Sequence, residues 1–459
     1  MTHPTTFDLV VLGAGSGGYA CALRAAQLGL TVALIEKDKV GGTCLHMGCI
    51  PTKALLHAAE VADSARDAAS FGVNASLEGI DMAGVNRYKD GVVSRLYKGL
   101  TGLVTGRGIS IIQGAGTLVN ATTVAVGDEL ITGKNVVIAT GSYSRSLPGL
   151  EVDGVKVITS EQALALDHVP ASVVILGGGV IGCEFASVWK SFGEAVTIVE
   201  ALPRLVPGED EASSKVLERA FRRRKIAFKT GVRFESVSAT GEGVDVLLSS
   251  GETLSAELLL VAVGRGPATD GAGLSEAGVE LDRGYVVTDE RLRTSLEGVY
   301  AVGDIVPGLQ LAHRGFAHGL FVAEEIAGLN PAPVLDVAIP KVTYCDPELA
   351  SVGLTEAAAR EQYGDAIETV TYDLGGNGKS QILKTMGFVK LVRVTQGPVV
   401  GIHMVGARVG ELIGEAQVIC NWEGHPEEVA AMIHAHPTQN EALGEAHLAL
   451  AGKPLHAHS

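Results

Sequence analysis

The chain has 459 residues, 46% of them hydrophobic, enough for several packed domains because single cores stop growing well before this length. Its 59 Gly against 16 Pro argue against disorder and for many tight βα turns, the signature of an α/β protein. A formal charge of −16 disfavours nucleic acid and anionic membranes as partners and favours a basic protein.

No basic region followed by an apolar stretch and cleavage site opens the sequence, and no apolar run approaches the roughly 20 residues that span a bilayer. We therefore expect a cytoplasmic protein. Six cysteines at irregular spacing suit a reducing compartment with one reactive pair, not a secreted disulfide framework.

The first apolar run, Asp8–Leu12, reads as a strand entering the G-x-G-x-x-G turn of Gly13, Gly15 and Gly18. A helical stretch and a second strand, Thr31–Ile35, follow and end at Glu36. The pattern returns 164 residues later: Gly13, Gly15, Gly18, Gly29, Val32 and Glu36 correspond to Gly177, Gly179, Gly182, Gly193, Val196 and Glu200. In the second copy the strands are Ser172–Leu176 and Ala195–Val199. These are two βαβ dinucleotide-binding units. In each, the first glycine permits the turn, the second lets backbone N–H groups approach pyrophosphate, and the third lets helix and strand pack closely. Glu36 and Glu200 are placed to accept hydrogen bonds from adenosine ribose hydroxyls. A carboxylate at Glu200 repels a 2′-phosphate, and Ala201 and Leu202 supply no cation, so NAD is favoured over NADP; Arg204 is the nearest cation.

Directly after the first acid comes Gly41-Gly42-Thr43-Cys44-Leu45-His46-Met47-Gly48-Cys49-Ile50-Pro51-Thr52-Lys53. A helix sets Cα atoms five apart at about 8.7 Å, whereas a disulfide spans about 4.4–6.8 Å. If Cys44 and Cys49 pair, the backbone must distort, with Gly48 giving the freedom, and such strain eases reduction. Cys44, His46 and Cys49 are also three conceivable zinc ligands, but the second half of a zinc motif is missing. Cys21, Cys183, Cys345 and Cys420 read as inert small hydrophobes, the last two without partners.

Asn135–Ala139 reads as a buried strand ending at Thr140-Gly141, and Leu258–Val263 as another ending at Gly264-Arg265. The cationic run Arg222 to Lys225 reads as a solvated end of a helix starting near Ala212. Gly298–Asp304 again runs from strand to glycine and acid, placing Asp304 to bind a polyol or ribose hydroxyl. From Val337 onward the alternation through Lys390–Val394 and a helical Glu427–His434 point to an antiparallel sheet with helices. Two histidines, His434 and His436, lie together in front of Pro437, and His456 and His458 read as a mobile tail.

Taken together, these motifs resemble the pyridine nucleotide–disulfide oxidoreductase family over essentially the whole chain, most nearly its dihydrolipoamide dehydrogenases. The resemblance rests on Gly13–Gly18, the G-G-T-C-x-x-x-G-C-I-P stretch at Gly41–Pro51, Gly177–Gly182, Ala301–Asp304, and His-Pro-Thr-x-x-Glu at His436–Glu441. It implies two Rossmann-like FAD/NAD(P)-binding domains plus a C-terminal α+β dimerisation domain. The expected divisions are 1–146 for FAD, 147–270 for NAD, 271–336 returning to the FAD domain, and 337–459 for the interface. It implies a Cys44–Cys49 disulfide, with Cys49 nearest the flavin and Cys44 meeting substrate, and Lys53 near the flavin paired with Glu184. The base is then His436, oriented by Glu441 with His434 as a supporting neighbour, and it acts on the cysteine pair of the other subunit of a homodimer.

The reaction so implied is oxidation of dihydrolipoamide through the disulfide and FAD with NAD⁺ as acceptor, in service of 2-oxoacid dehydrogenase or glycine cleavage complexes. The partner is a lipoylated acyltransferase subunit, and no lipoyl or linker segment is expected at the N-terminus. His46 and Met47 replace more polar residues common in relatives. Glutathione reductase normally reads NADPH with arginines, which Glu200 contradicts. Mercuric reductase carries a vicinal cysteine pair that is absent from Ala451–Ser459. A non-catalytic flavin-binding subunit is the reading from another class, and the full set Cys44, Cys49, His436 and Glu441 opposes it.

Overall fold

Residues 6–456 are described by a computed structural model; His458 of the expected tail lies outside them. The chain forms two compact units, one of residues 6–54, 82–145 and 264–336, the other of 55–81, 146–263 and 337–456.

In the first unit, Ser110–Gln113, Val32–Glu36, Thr6–Leu12 and Glu129–Ile138 lie side by side as a parallel sheet. Val299–Ala301 adds in parallel against Val136–Ile138. The other end of the long Glu129–Ile138 strand leaves this layer and pairs antiparallel with Thr123–Val126, which pairs with Gly116–Asn120. The central strands are continuous apolar runs, Leu9–Leu12, Val32–Ile35 and Val136–Ile138, as a parallel sheet covered on both faces requires. Helices Ser16–Gln27 and Ala312–Ile326 pack backbone to backbone: a methyl group on Gly319 would lie 2.3 Å from the Gly17 carbonyl oxygen. Arg24 and Glu324 join the same two helices through an ion pair of 2.6 Å.

In the second unit the strand order is Ala227–Thr230, Ala195–Glu200, Ser172–Leu176, Leu258–Val261, Val157–Ile158, all parallel. A meander of Phe234–Ala239, Val244–Leu248 and Thr253–Ala256 is inserted before Leu258. Beyond residue 337 comes a five-stranded antiparallel sheet, Lys341–Thr343, Glu348–Gly353, Val399–Gly406, Phe388–Val394, Ile367–Asp373, with helices Val409–Asn421 and Glu441–Leu450. Their shared core includes Val389, Leu391, Ile402, Ala416, Leu443 and Ala446.

Three sequence expectations change. The helix expected over Glu427–His434 is one turn, Pro426–Val429, and His434 follows it in irregular backbone. Arg224 is not a solvated helix end: its guanidinium is largely buried, donating to Ser191 Oγ at 2.8 Å and the Asp346 carbonyl at 2.9 Å, and pairing with Asp63. His456 is anchored, its ring on Glu445 at 2.8 Å and its N–H on the same carboxylate at 3.0 Å. Each difference comes from a partner distant in sequence or from a local turn that periodicity cannot reveal.

Two buried imidazoles set an acid limit on the fold. Burial and the neighbouring Arg314 charge push His318 down to about 4, and its Nδ1 accepts from the Gly303 N–H at 3.3 Å. Burial also pushes His447 down to about 4; its Nδ1 donates to the Leu443 carbonyl while its Nε2 has no partner among the described residues. Unfolded histidine titrates near 6.5, so between pH 6.5 and 4 the unfolded chain binds more protons and stability falls as pH falls. Full expression of each shift is worth about 3 kcal/mol. Urea midpoints measured from pH 7 to 4.5 should therefore decline. His318→Gln, which keeps an acceptor for Gly303, should decline less steeply; parallel slopes would refute the assignment.

Candidate active site

The two glycine turns are near copies in three dimensions. Gly13 and Gly177 adopt φ of 101° and 105°, open only to glycine, and a methyl group on either would sit 2.4 or 2.3 Å from the carbonyl oxygen of Ala139 or Ala262. A methyl group on Gly18 would lie 1.8 Å from the Gly13 oxygen, and one on Gly182 2.0 Å from the Gly177 oxygen. The middle glycines differ in kind. Gly15 and Gly179 precede the helices Ser16–Gln27 and Val180–Phe192 in extended backbone, and no described residue lies within 4 Å of their missing Cβ positions. The open space is thus at the helix N-terminus, where unsatisfied N–H groups attract phosphate.

The two acids repeat the same clasp. Glu36 accepts from Ala14 N–H and Asp38 N–H, both at 2.8 Å. Glu200 accepts from Gly178 N–H at 2.6 Å and Leu202 N–H at 2.7 Å. Each carboxylate is thereby fixed at the tip of its second strand, with lone pairs left for ribose hydroxyls. Arg204 donates to the Pro207 carbonyl at 2.8 Å and to Ser214 Oγ; its guanidinium is engaged by its own loop.

In the first unit, Thr140 Oγ1 is buried with no hydrogen-bond partner among the described residues, and its Cα is 3.2 Å from the Cβ position of Gly13. Gly141, at φ 76°, has open space beside it. Next in sequence, Ser142 Oγ donates to Asp304 Oδ2 at 2.5 Å and accepts from Arg265 Nε at 2.7 Å, while Arg265 Nη2 reaches the Ser142 carbonyl. Arg265–Pro267 and Ser142–Ser144 pair antiparallel, which sets Gly264 beside Arg145 and Ala268 beside Gly141 within this unit, while the Arg265 side chain reaches back to Ser142. Ser142 had drawn no attention in the sequence, because its partners are 123 and 162 residues away. The orphaned hydroxyl, the open glycines and the acid at the strand tip fit a bound FAD; Gly179, Gly182 and Glu200 fit NAD.

The cysteine stretch is two helices, Gly42–Met47 and Cys49–Asp67, separated at Gly48. Gly48 packs closely, with its Cβ position 3.0 Å from the Thr43 oxygen, and Thr52 Oγ1 donates to its carbonyl at 2.6 Å. The break brings Cys44 into hydrogen-bonding contact with Cys49, side chain to side chain and through the Cys49 backbone. Donation to Cys49 and burial hold the Cys44 thiol far above its ordinary pKa, while the nearby Lys53 charge opposes this. Burial, with the charges of the two cysteines, pushes the Tyr19 phenol up to about 12. His46 hydrogen-bonds to the Val40 carbonyl at 3.0 Å and meets the Tyr97 ring edge-on, and thereby ties the short helix down. Among the described residues no group of three metal-ligating side chains converges.

In the second unit, Glu184 is buried and accepts from the Tyr344 N–H at 3.0 Å. His436 Nδ1 lies 2.8 Å from Glu441 Oε1, and Glu441 Oε2 accepts from the Thr438 N–H at 2.7 Å. Those bonds hold Glu441 below the ordinary carboxylate range, although its burial opposes the shift. His434 is engaged separately, by Glu415 at 2.8 Å, a residue that sequence patterning had not singled out. The His436 side chain is 77% exposed. Trp422 and Ile433 of the same unit are 79% and 99% exposed.

Residues 7–319 match the family model for pyridine nucleotide-disulphide oxidoreductases, and residues 339–447 match the dimerisation domain of that family. A dihydrolipoyl dehydrogenase of Bacillus subtilis is 40% identical, with 98% of this chain and 99% of that protein aligned. A mitochondrial dihydrolipoyl dehydrogenase of Arabidopsis thaliana is 36% identical over 98% of this chain and 91% of its own. Among solved structures, LpdA from Mycobacterium tuberculosis superposes with a TM-score of 0.90 at 27% identity, covering 97% of this chain and all of the other. A hypochlorous-acid-induced flavoprotein disulfide reductase, RclA from Escherichia coli, gives 0.85 at 28% identity over 96% and 99%.

The third glycines separate the two nucleotide sites experimentally. An added methyl group at either meets a backbone oxygen, so the turn itself must move. Gly18→Ala should purify without the yellow flavin colour. Gly182→Ala should retain flavin and bind NADH at least about tenfold more weakly by calorimetry. Flavin loss in both, or in neither, would contradict the assignment.

Proposed function

Because the chain belongs to the pyridine nucleotide–disulphide oxidoreductase family, we propose that it is a dihydrolipoyl dehydrogenase, oxidising protein-bound dihydrolipoamide at Cys44 and Cys49. The contact that carries this reading is the Cys44–Cys49 hydrogen bond beside Lys53, formed where one helix ends and the next begins.

With the enzyme cysteines joined as a disulfide, His436 takes the proton of one substrate thiol and the resulting thiolate attacks the Cys44 sulfur. Cys49 leaves as thiolate, favoured by the helix N-terminus and by Lys53. The second substrate thiol attacks its partner sulfur in the mixed disulfide and passes its proton to Cys44 as that thiolate leaves. The lipoamide ring closes, Cys44 shares this proton with the Cys49 thiolate, and His436 holds the first proton as imidazolium. Two electrons and two protons have then left the substrate. FAD would be held by Gly13, Gly15, Gly18, Glu36, Thr140, Gly141 and Asp304 and would supply a two-electron relay toward NAD⁺, which Gly177, Gly179, Gly182 and Glu200 would hold.

Glu441 fixes the tautomer of His436, leaving Nε2 to accept a proton, and stabilises the imidazolium that forms. The match to a dimerisation domain supports a homodimer. In that dimer His436, exposed in the single chain, serves the cysteine pair of the other subunit, and Trp422 and Ile433 supply apolar contact area. The partner is the lipoylated acyltransferase of a 2-oxoacid dehydrogenase or glycine cleavage complex, met through a basic module that a chain of net charge −16 attracts. We assign the protein to the cytoplasm, whose reducing poise keeps the remaining cysteines as thiols; no described helix is long and apolar enough to cross a membrane.

Anaerobic titration with dihydrolipoamide should produce long-wavelength thiolate–flavin absorbance in the wild type and none in Cys49→Ser. Cys44→Ser should keep the absorbance and lose turnover. NAD⁺ with dihydrolipoamide should turn over faster than NADPH with oxidised glutathione. The reverse preference, or an unaltered band in Cys49→Ser, would sink the reading.

A further inference from the structure

Beneath the exposed His436–Glu441 pair lies a second histidine–glutamate pair with a different geometry. Glu415, on the helix Val409–Asn421, uses both carboxylate oxygens: Oε1 pairs with His434 Nε2 at 2.8 Å, and Oε2 accepts from the Asn440 amide. His434 and Asn440 flank the segment 435–439 that carries His436, so one carboxylate grips that segment at both ends. Asn440 directly precedes Glu441, the first residue of the helix Glu441–Leu450. The His434 side chain is almost wholly buried, and its ring lies against Gly444, where a methyl group would be 2.6 Å from Nδ1. The other titratable groups facing His434 are Glu441 and the buried His447.

We propose that Glu415 and His434 form a positioning clamp for the catalytic base, holding the loop so that Glu441 stays on His436 Nδ1. This inference rests on His436 being the base. The choice of residue follows from donor and acceptor counting. Both gripped groups are donors, the imidazole N–H and the Asn440 amide, and a carboxylate is the side chain that offers only acceptors to the two at once. An amide at the same position presents its own N–H to one of them and releases one end of the loop. Loosening the loop weakens Glu441's hold on the imidazolium, which makes His436 a weaker base and a less well-aimed one.

Dimeric holoenzyme variants Glu415→Gln, His434→Ala, His434→Gln and the reference His436→Gln would be compared in two assays: dihydrolipoamide oxidation by NAD⁺, and NADH-driven reduction of ferricyanide, which needs neither thiol exchange nor a base. Glu415→Gln and His434→Ala should each lower dithiol turnover about tenfold, leave the KM for NAD⁺ unchanged, and keep ferricyanide reduction within about twofold. In Glu415→Gln the ascending limb of kcat/KM for the dithiol should move to lower pH. His434→Gln, which keeps a donor for Glu415, should recover to within about threefold of wild type. Unchanged dithiol turnover and pH limb in Glu415→Gln and His434→Ala, with His436→Gln impaired, would overturn the clamp and leave the base assignment standing. Equal losses in both assays would overturn it as general disruption. Normal dithiol turnover in His436→Gln would remove the base assignment and the clamp together.

Discussion

The chemistry depends on an interruption of one helix. On an unbroken helix, residues five apart hold their Cα atoms about 8.7 Å from each other, beyond the range of any disulfide. The helix stops at Gly48 and restarts at Cys49, and that break has three consequences. It brings the two sulfurs into contact. It places Cys49 at a fresh helix N-terminus, where unsatisfied N–H groups favour a thiolate. It also sets Lys53 one turn further along the same helix. The short helix in front is seated by Gly42, whose Cβ position lies 2.7 Å from the Gly15 Cα, so the thiols are fixed directly against the first dinucleotide turn.

The duplicated turn shows how a strict steric demand makes a fold readable. A methyl group on Gly13, Gly18, Gly177 or Gly182 would approach a backbone oxygen to 2.4 Å or less, and no rotamer change relieves such a contact. The glycines therefore cannot vary, and the spacing between them encodes the geometry. The clasp of Glu36 on Ala14 and Asp38, and of Glu200 on Gly178 and Leu202, repeats at the same offset as the residues themselves. Position in sequence and position in space coincide here because every partner is local to one βαβ unit.

Where partners are remote, the sequence was silent. Thr140-Gly141, Gly264-Arg265 and Asp304 stood out as motif ends, but Ser142, which links Arg265 to Asp304, is an ordinary serine until the Ser142–Ser144 and Arg265–Pro267 strands pair. His318 supports Gly303 from a separate helix, and no spacing rule connects the two. His434 and His436 were visible as neighbours of Pro437, whereas Glu415 was one acid on a helix with nothing to distinguish it. The antiparallel sheet after Val337 was legible from alternation, whereas the burial of Lys390 and Arg393 within it was not. Lys390 is buried against Asp210 at 2.8 Å and Glu356 at 2.7 Å, and Arg393 pairs with Glu368 and Glu427.

That last difference bears on recognition as well as on folding. A buried cation must be paired, because an unpaired charge inside a protein carries a large desolvation penalty. Arg224, Arg314, Lys390 and Arg393 are all spent this way, on Asp63, Asp336, Asp210 and Glu368 among others. Each such pair removes equal charge from both sides of the ledger, so the net −16 is unchanged while fewer cations are left to dilute it at the surface. The outward field is consequently more one-sided than the ratio of 36 basic to 52 acidic residues suggests. A surface of that kind steers basic modules toward itself and repels other acidic proteins. Attraction of basic partners then follows from how the interior consumes its cations, as much as from composition.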